Sequence, residues 1–461
     1  MQYLNIWDLL LTPIYIAIII AIAKRQRNKK YPIGHPLRKY YLPGLYMKLG
    51  GAIFIALIYQ FYYGAGDTFN YYYHSQIINS SLSDSLNTWL DLILHKPVNS
   101  NPNIYLYTSQ MFWYNDPSSY TVARIAAVIG LFCGTTYIPI ALFFAFLAYT
   151  GMWAMYRTFV FMYPNLTKEL AIAFLFIPST VVWGSAIFKD TVCMFGLGWM
   201  TYSTFRIFIN KDFSIKNIIM LVISFYLIAL IKLYILLAFI PALNIWLLMT
   251  YSNKIKIAGL RWIINLLFIG ITLAAFSFFT EQFAQDLNKY SLEKIAKTAE
   301  VTRSWIGYVS DLEGGSSYDL GEFEPTPGGM LSKFPQAVAV TLYRPFLWET
   351  KKVIVAFSAL ESMFFLFLSL KLFFRYKLKL FKLLGRDPNL VFFVVFALIF
   401  AFAVGISSYN FGALSRYKIP CLPFFTAALL ILLNKDKHKS AGVTQDRNQR
   451  SFSIQKRHLS P

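Results

Sequence analysis

Long apolar runs separated by short basic clusters are the dominant pattern of this chain. Taken in order, runs at about Asn5–Ala23, Leu45–Tyr63, Ile138–Phe161, Glu169–Pro178, Thr191–Phe208, Ile218–Ile231, Tyr234–Met249, Trp262–Phe279, Val353–Phe374, Leu390–Ile406 and Ile419–Leu433 predict eleven membrane spans. A twelfth stretch, Val122–Phe132, is apolar but too short for about 30 Å of hydrocarbon, and reads as an interfacial or re-entrant helix. No repeat of the length that marks solenoids or inverted transporter halves is visible.

The charges set the direction of threading. Lys24, Arg25, Arg27, Lys29 and Lys30 follow the first run directly, and the segment to Lys48 carries eight Lys or Arg and no acid. This holds that end in the cytoplasm and argues against a cleaved signal, since no cation precedes the run and Asp8 lies near its start. The same rule assigns Lys211 and Lys216, Lys254, Lys256 and Arg261, and Arg375, Lys377, Lys379, Lys382 and Arg386 to the inner side. The outer side then receives two large loops, about 64–136 and 281–352. The second is polar and Gly-rich from Gly314 to Gly329, where mobility is expected. The expected fold is an all-α polytopic membrane protein with an outer N-terminus. Three regions follow: residues 1–44 as the first span and basic loop, 45–433 as the rest of the membrane domain, and 434–461 as a basic, disordered cytoplasmic tail.

Composition agrees. Of 461 residues, 57% are hydrophobic and 14% charged, with mean hydropathy +0.49, beyond the range of an average soluble domain. A net charge of +21 raises the question of nucleic acid, but the cations sit beside apolar runs, so the implied partner is anionic membrane lipid. Cys133, Cys193 and Cys421 lie far apart in apolar stretches, which gives neither a disulfide framework nor a zinc site. Walker-type loops, HExxH and a Ser-His-Asp grouping are also missing.

Candidate chemistry gathers where the predicted spans meet the outer face. Asp67 emerges from the second span within Tyr62-Tyr63-Gly64-Ala65-Gly66-Asp67-Thr68-Phe69-Asn70-Tyr71-Tyr72-Tyr73, and reads either as a loop cap or as a general base. Lys189 and Asp190 open the fifth span: Asp190 complements a helix dipole, or joins a second carboxylate on a divalent ion such as Mg²⁺ or Mn²⁺. Lys232 and Lys418 can snorkel or meet an anion. Arg344 and Glu349 are spaced for a local ion pair or for a ligand, while the guanidinium of Arg416 suits a pair of phosphate oxygens. Glu361, well inside the ninth span, has no assigned role.

Three segments together, Gly66-Asp67-Thr68-x-x-Tyr71-Tyr72, Pro178-x-x-x-x-Trp183-Gly184-Ser185-x-x-x-Lys189-Asp190 and Arg416-Tyr417-x-x-Pro420-x-x-Pro423, resemble the C-type glycosyltransferase superfamily over about Leu45–Leu433. These are multispanning enzymes that use sugars carried on polyprenyl phosphate. The resemblance implies a bacterial cytoplasmic-membrane enzyme that transfers sugar at the outer face to a glycan, lipid or protein acceptor, with no nucleotide site. It makes Asp67 the catalytic base, Asp190 a second acid for metal or acceptor, and Arg416 a ligand of the donor phosphate, with Lys189 and Lys232 directed at the same phosphate; Arg344 and Tyr417 join them as candidate substrate-binding residues. The first span is then an addition, and Thr68 stands where the family often has a second acid. A flippase for lipid-linked oligosaccharide, or a non-catalytic envelope assembly subunit, would need the same basic outer face but no base.

Overall fold

The computed structural model describes residues 3–94, 102–252, 270, 316–324 and 326–435. The predicted eighth span (Trp262–Phe279), most of the second outer loop and the tail beyond residue 435 lie outside the described residues. The chain divides into two compact units, the first reaching Leu233 and the second running from Tyr234 to Leu433.

Helices carry the first unit: α1 (Ile6–Lys30), α2 (Arg38–Ile58) prolonged by a π-turn (Tyr59–Tyr63), α3 (Asp67–Ser80), α4 (Leu86–Leu94), α5 (Pro102–Thr108), α6 (Pro117–Gly130), α7 (Tyr137–Met162), α8 (Thr167–Leu175), α9 (Pro178–Trp183) and α10 (Lys189–Phe208). α11 (Ile215–Ser252) follows and is broken at Lys232, whose φ of −147° and ψ of 75° are not helical. α7 is the centre: its most apolar window is 78% buried, against 17% for α1, whose Ile6, Trp7, Leu9, Leu10 and Ile14 are left to face lipid. Small residues set how closely α7 meets α10. A Cβ on Gly198 would collide with the Gly151 carbonyl oxygen, so the two backbones touch where a side chain cannot fit.

The second unit contains α12 (Pro327–Ser332), α13 (Phe334–Tyr343), α14 (Val353–Tyr376), α15 (Lys379–Leu384), α16 (Pro388–Ser408), α17 (Phe411–Tyr417) and α18 (Leu422–Leu433). Its core is aromatic: Phe424 meets Phe392, Phe393 and Phe396 at ring distances of 4.8–5.8 Å. The Thr341 hydroxyl donates across to the Ala401 carbonyl (2.7 Å), tying α13 to α16.

This is an all-α, multi-pass membrane protein. Among the described residues there is no strand, only an isolated antiparallel bridge between Ser317 and Asn410. Among the described residues, six helices are long and apolar enough to cross a bilayer, or seven if α17 and α18, bent by 71°, form one span. The eleven-span expectation is therefore not what the described residues show. Of the four spans that are missing, Trp262–Phe279 lies outside the described residues, and three physical reasons account for the others. Ile218–Ile231 and Tyr234–Met249 are two helical stretches that meet at a kink at Lys232 with no loop between them, and so count as one apolar helix. The run Glu169–Pro178 holds only α8, which stops at Leu175, and Pro178 opens the separate short α9, so neither helix is long enough to cross. α10 has the length, but its Gly, Thr and Ser content leaves it outside the apolar class.

Two loop expectations also change. The first outer loop is a helical subdomain with its own core, in which Ile77, Ile78, Trp89, Leu92, Tyr107, Met111 and Tyr120 pack together. Part of the segment expected to be mobile is anchored: the Tyr318 N–H donates to the Tyr409 carbonyl (3.1 Å), and the Phe411 N–H donates to that of Ser316 (2.9 Å).

Candidate functional site at the end of the second helix

The site is built on how α2 ends. Its last turn widens into the π-turn Tyr59–Tyr63, an irregularity that often re-aims side chains at functional positions. Gly64 follows with φ of 73° and donates its N–H to the Tyr59 carbonyl (2.9 Å), closing the helix; Gly66, at φ of 144°, then caps α3. Neither conformation suits an L side chain, and a Cβ on Gly66 would strike the Tyr59 ring. The two glycines allow the chain to reverse closely enough that Asp67 becomes the first residue of α3, half-buried, with buried Thr68 and Phe69 behind it. Thr68 and Tyr137 share a hydroxyl–hydroxyl bond of 2.6 Å, and Tyr72 donates its hydroxyl to the Thr135 carbonyl (2.7 Å), fixing α3 to the start of α7.

Tyr59 also links this turn to the second candidate segment. Its ring is 6.2 Å from that of Phe69 and 5.7 Å from that of Phe188, the residue just before Lys189 and Asp190. One aromatic side chain thus brings the Asp67 turn and the start of α10 to the same place. That start is not an exposed turn at the outer face, where Lys189 and Asp190 were expected to open the fifth span. Ser185, Ala186, Ile187 and Phe188 are fully buried.

The charged groups there are paired. Lys189 donates to Asp116 Oδ2 (3.0 Å) and to the Ser118 hydroxyl (2.6 Å). Lys232, at the break in α11, donates to Asp190 Oδ1 (2.5 Å), and this pair is sealed, with side-chain exposures of 8% and 0%. Lys232 was read as a cation at an outer helix end; it is instead the counter-ion of Asp190 in the protein interior. Asp116 is the residue that sequence reasoning missed. It caps α6, accepting from the Ser118 N–H (3.1 Å) and from the hydroxyls of Ser118 (2.8 Å) and Ser119 (2.6 Å), and Asp-Pro-Ser-Ser is a legible cap signal.

Burial works against the charged form of Asp116, but the Ser119 hydroxyl, the Lys189 charge and the Ser118 hydroxyl outweigh it and hold the carboxyl down to about 2. Because the folded value lies below the ordinary 3.8, this group stabilises the fold fully above about pH 4, and the contribution is lost as pH falls through about 2. The expected result is that Asp116→Asn flattens the acid limb of melting temperature against pH between about 4 and 2. An unchanged acid limb would show that the Lys189–Asp116 contact does not form in solution.

Arg344, Arg416 and Tyr417 belong to the second unit. Arg344 donates through Nε to both Glu349 oxygens (2.9 and 3.1 Å) and through Nη2 to Oε1, so the suspected local ion pair exists and is bidentate. Glu349 also accepts the Phe346 N–H (2.7 Å). Burial disfavours its charged form, yet Arg344 and the Phe346 N–H together keep its carboxyl below the usual range. The Arg344 carbonyl takes the Ser362 hydroxyl (3.0 Å) and the Lys418 ammonium (3.4 Å), which itself donates to Ser362 (2.7 Å). Lys418 thus braces Arg344 from inside, within the electrostatic reach of Glu361. Arg416 and Tyr417 close α17, with Arg416 9% exposed.

Among the described residues, no three His, Cys, Asp or Glu side chains gather as a metal site. Compared with protein-family models, curated proteins and solved structures, the chain matches none.

Proposed function

We propose that this chain is an integral-membrane glycosyltransferase that moves a sugar from a polyprenyl-phosphate-linked donor to an acceptor at the outer face of the bacterial cytoplasmic membrane, with its N-terminus outside and its C-terminus inside. The observation that carries the reading is the Tyr59 junction, which joins the Gly-Asp-Thr turn to the Phe188-Lys189-Asp190 segment at the end of an apolar helix. Half-buried Asp67 is the base that takes the acceptor hydroxyl proton as the oxygen attacks the anomeric carbon. Lys189, on the segment that Tyr59 joins to this turn, is the cation for the departing phosphate.

Asp190 does not fit as a metal ligand, because its carboxylate is fully buried with the Lys232 ammonium on Oδ1. Its role here is to set the start of α10, and no step is routed through a divalent ion. The second reading, a flippase for the lipid-linked oligosaccharide, is favoured by the break at Lys232, since interrupted helices with ionic partners are a feature of transporters.

Purified protein in liposomes, given a polyprenyl-linked glycan donor and scored for both transfer to an acceptor and movement between leaflets, separates the two. Transfer is the expected result. Movement without transfer would establish the flippase, and neither would remove both.

A further inference from the structure

We propose that Lys48 is a positioning residue that holds the Thr180–Phe188 segment against α2, and thereby sets Lys189 and Asp190 relative to the Asp67 turn. The inference rests on the reading of those segments as one site.

Lys48 was grouped with the basic inner loop, where an ammonium stays in water. It is instead 2% exposed, and lies within one of the six membrane-crossing helices. A lysine there is expensive unless its donors are used, and it is too deeply enclosed to snorkel. Its Nζ donates to the Thr180 carbonyl (2.7 Å) and to the Gly184 carbonyl (2.9 Å). These are backbone groups at the C-terminal end of α9, where the Thr180 carbonyl also accepts the Gly184 N–H (3.2 Å). The irregular backbone that follows is tolerable at this depth only because it is enclosed by protein and its polar groups are met from within. The Thr191 hydroxyl supplies a further bond, to the Ala186 carbonyl (2.7 Å).

The rest of the contact runs along one stripe of α2. Lys48, Gly51, Ala52, Ile55 and Tyr59 recur at three- and four-residue spacing, and all five are buried. At Gly51 the segment lies against bare backbone: a Cβ there would meet the Val181 carbonyl oxygen at 2.5 Å and the Ser185 hydroxyl at 3.0 Å. Gly184 is constrained from the other side, since its Cβ would lie 2.8 Å from Lys48 Nζ. About 16 Å further along α2, at 1.5 Å per residue, Tyr59 packs on Phe188. One helix face therefore grips the segment at both ends, with hydrogen bonds below and an aromatic contact above. Lys48 acts at a distance through this grip, while the Asp67 turn grows from the upper end of the same helix.

The test compares Lys48→Met, which keeps the length but removes every donor, with Lys48→Gln, which keeps donors without the charge. Hydrogen exchange of the protein in nanodiscs should rise about tenfold or more across residues 180–192 in the Met variant. The Gln variant should stay near wild type. If wild-type transfer is observed, the Met variant should lose kcat with donor KM little changed, and Gln should restore most of it. Exchange that is unchanged at 180–192, or raised equally in every helix, overturns the proposal. Wild-type protein without transfer overturns the enzymatic reading alone, because the exchange result stands by itself.

Discussion

Replacing Lys232 with methionine should destabilise the first unit by about 3–5 kcal/mol, the usual cost of stripping one partner from a buried ion pair. The reason lies in the geometry. Asp190 is fully buried, and Lys232 Nζ lies 2.5 Å from its Oδ1. Without the ammonium, the carboxylate must either remain charged in a medium that solvates it poorly or take up a proton. Asp190→Leu alone should cost a similar amount, by stranding the lysine. The double variant Lys232→Met with Asp190→Leu should recover most of either loss, because an apolar pair of similar volume carries no desolvation penalty. Thermal retention of monodisperse protein in detergent, read for all four combinations as a double-mutant cycle, gives the coupling. Single and double losses that simply add would mean that the two side chains do not meet. The break in α11 makes a further point: Lys232 leaves helical geometry at the position where its side chain engages Asp190, so the double variant should also show whether the pair maintains the break.

Much of the architecture was readable because the bilayer imposes simple rules. The spans now seen as α7, α14 and α16 were expected within a few residues, α2 starts well before the expected Leu45, at Arg38, and the short apolar run near Val122 is α6, begun earlier by its Asp116 cap. What the pattern could not convey is where a charge finds its partner. Lys48 and Lys232 look alike in sequence to the many cations that stay at membrane borders, and both are buried against groups more than 40 residues away. Trp183–Asp190 has the Gly, Ser, Lys and Asp content of a surface turn, and it is enclosed because Lys48 satisfies its backbone from another helix. The Asp67 turn was the opposite case. Gly64 and Gly66 announce a reversal that needs positive φ, and the structure uses both in that way.

The remaining large effect concerns chemistry. Asp67→Asn should lower kcat for glycan transfer by about 10²–10⁴, the usual contribution of a positioned general base. Asparagine keeps the size of the side chain and its tolerance of a helix start, so α3 should form as before: its anchors are the Gly66–Tyr59 contact, the Thr68–Tyr137 bond and the Tyr72–Thr135 bond, none of which uses the carboxylate. Melting temperature should therefore stay within about 2–4 °C of wild type, as for a change worth at most about 1 kcal/mol in a unit the size of the first one. This separates Asp67 from Asp190, whose replacement should first be felt as lost stability. Asp67→Glu retains the acid but advances it by one methylene, and should fall between wild type and Asn. A variant carrying Asn that transfers sugar at the wild-type rate would return Asp67 to the role of a helix cap, and the proton would have to leave through another group. Loss of transfer together with loss of folded protein would point the same way, since the residue would then be serving the turn and not the reaction.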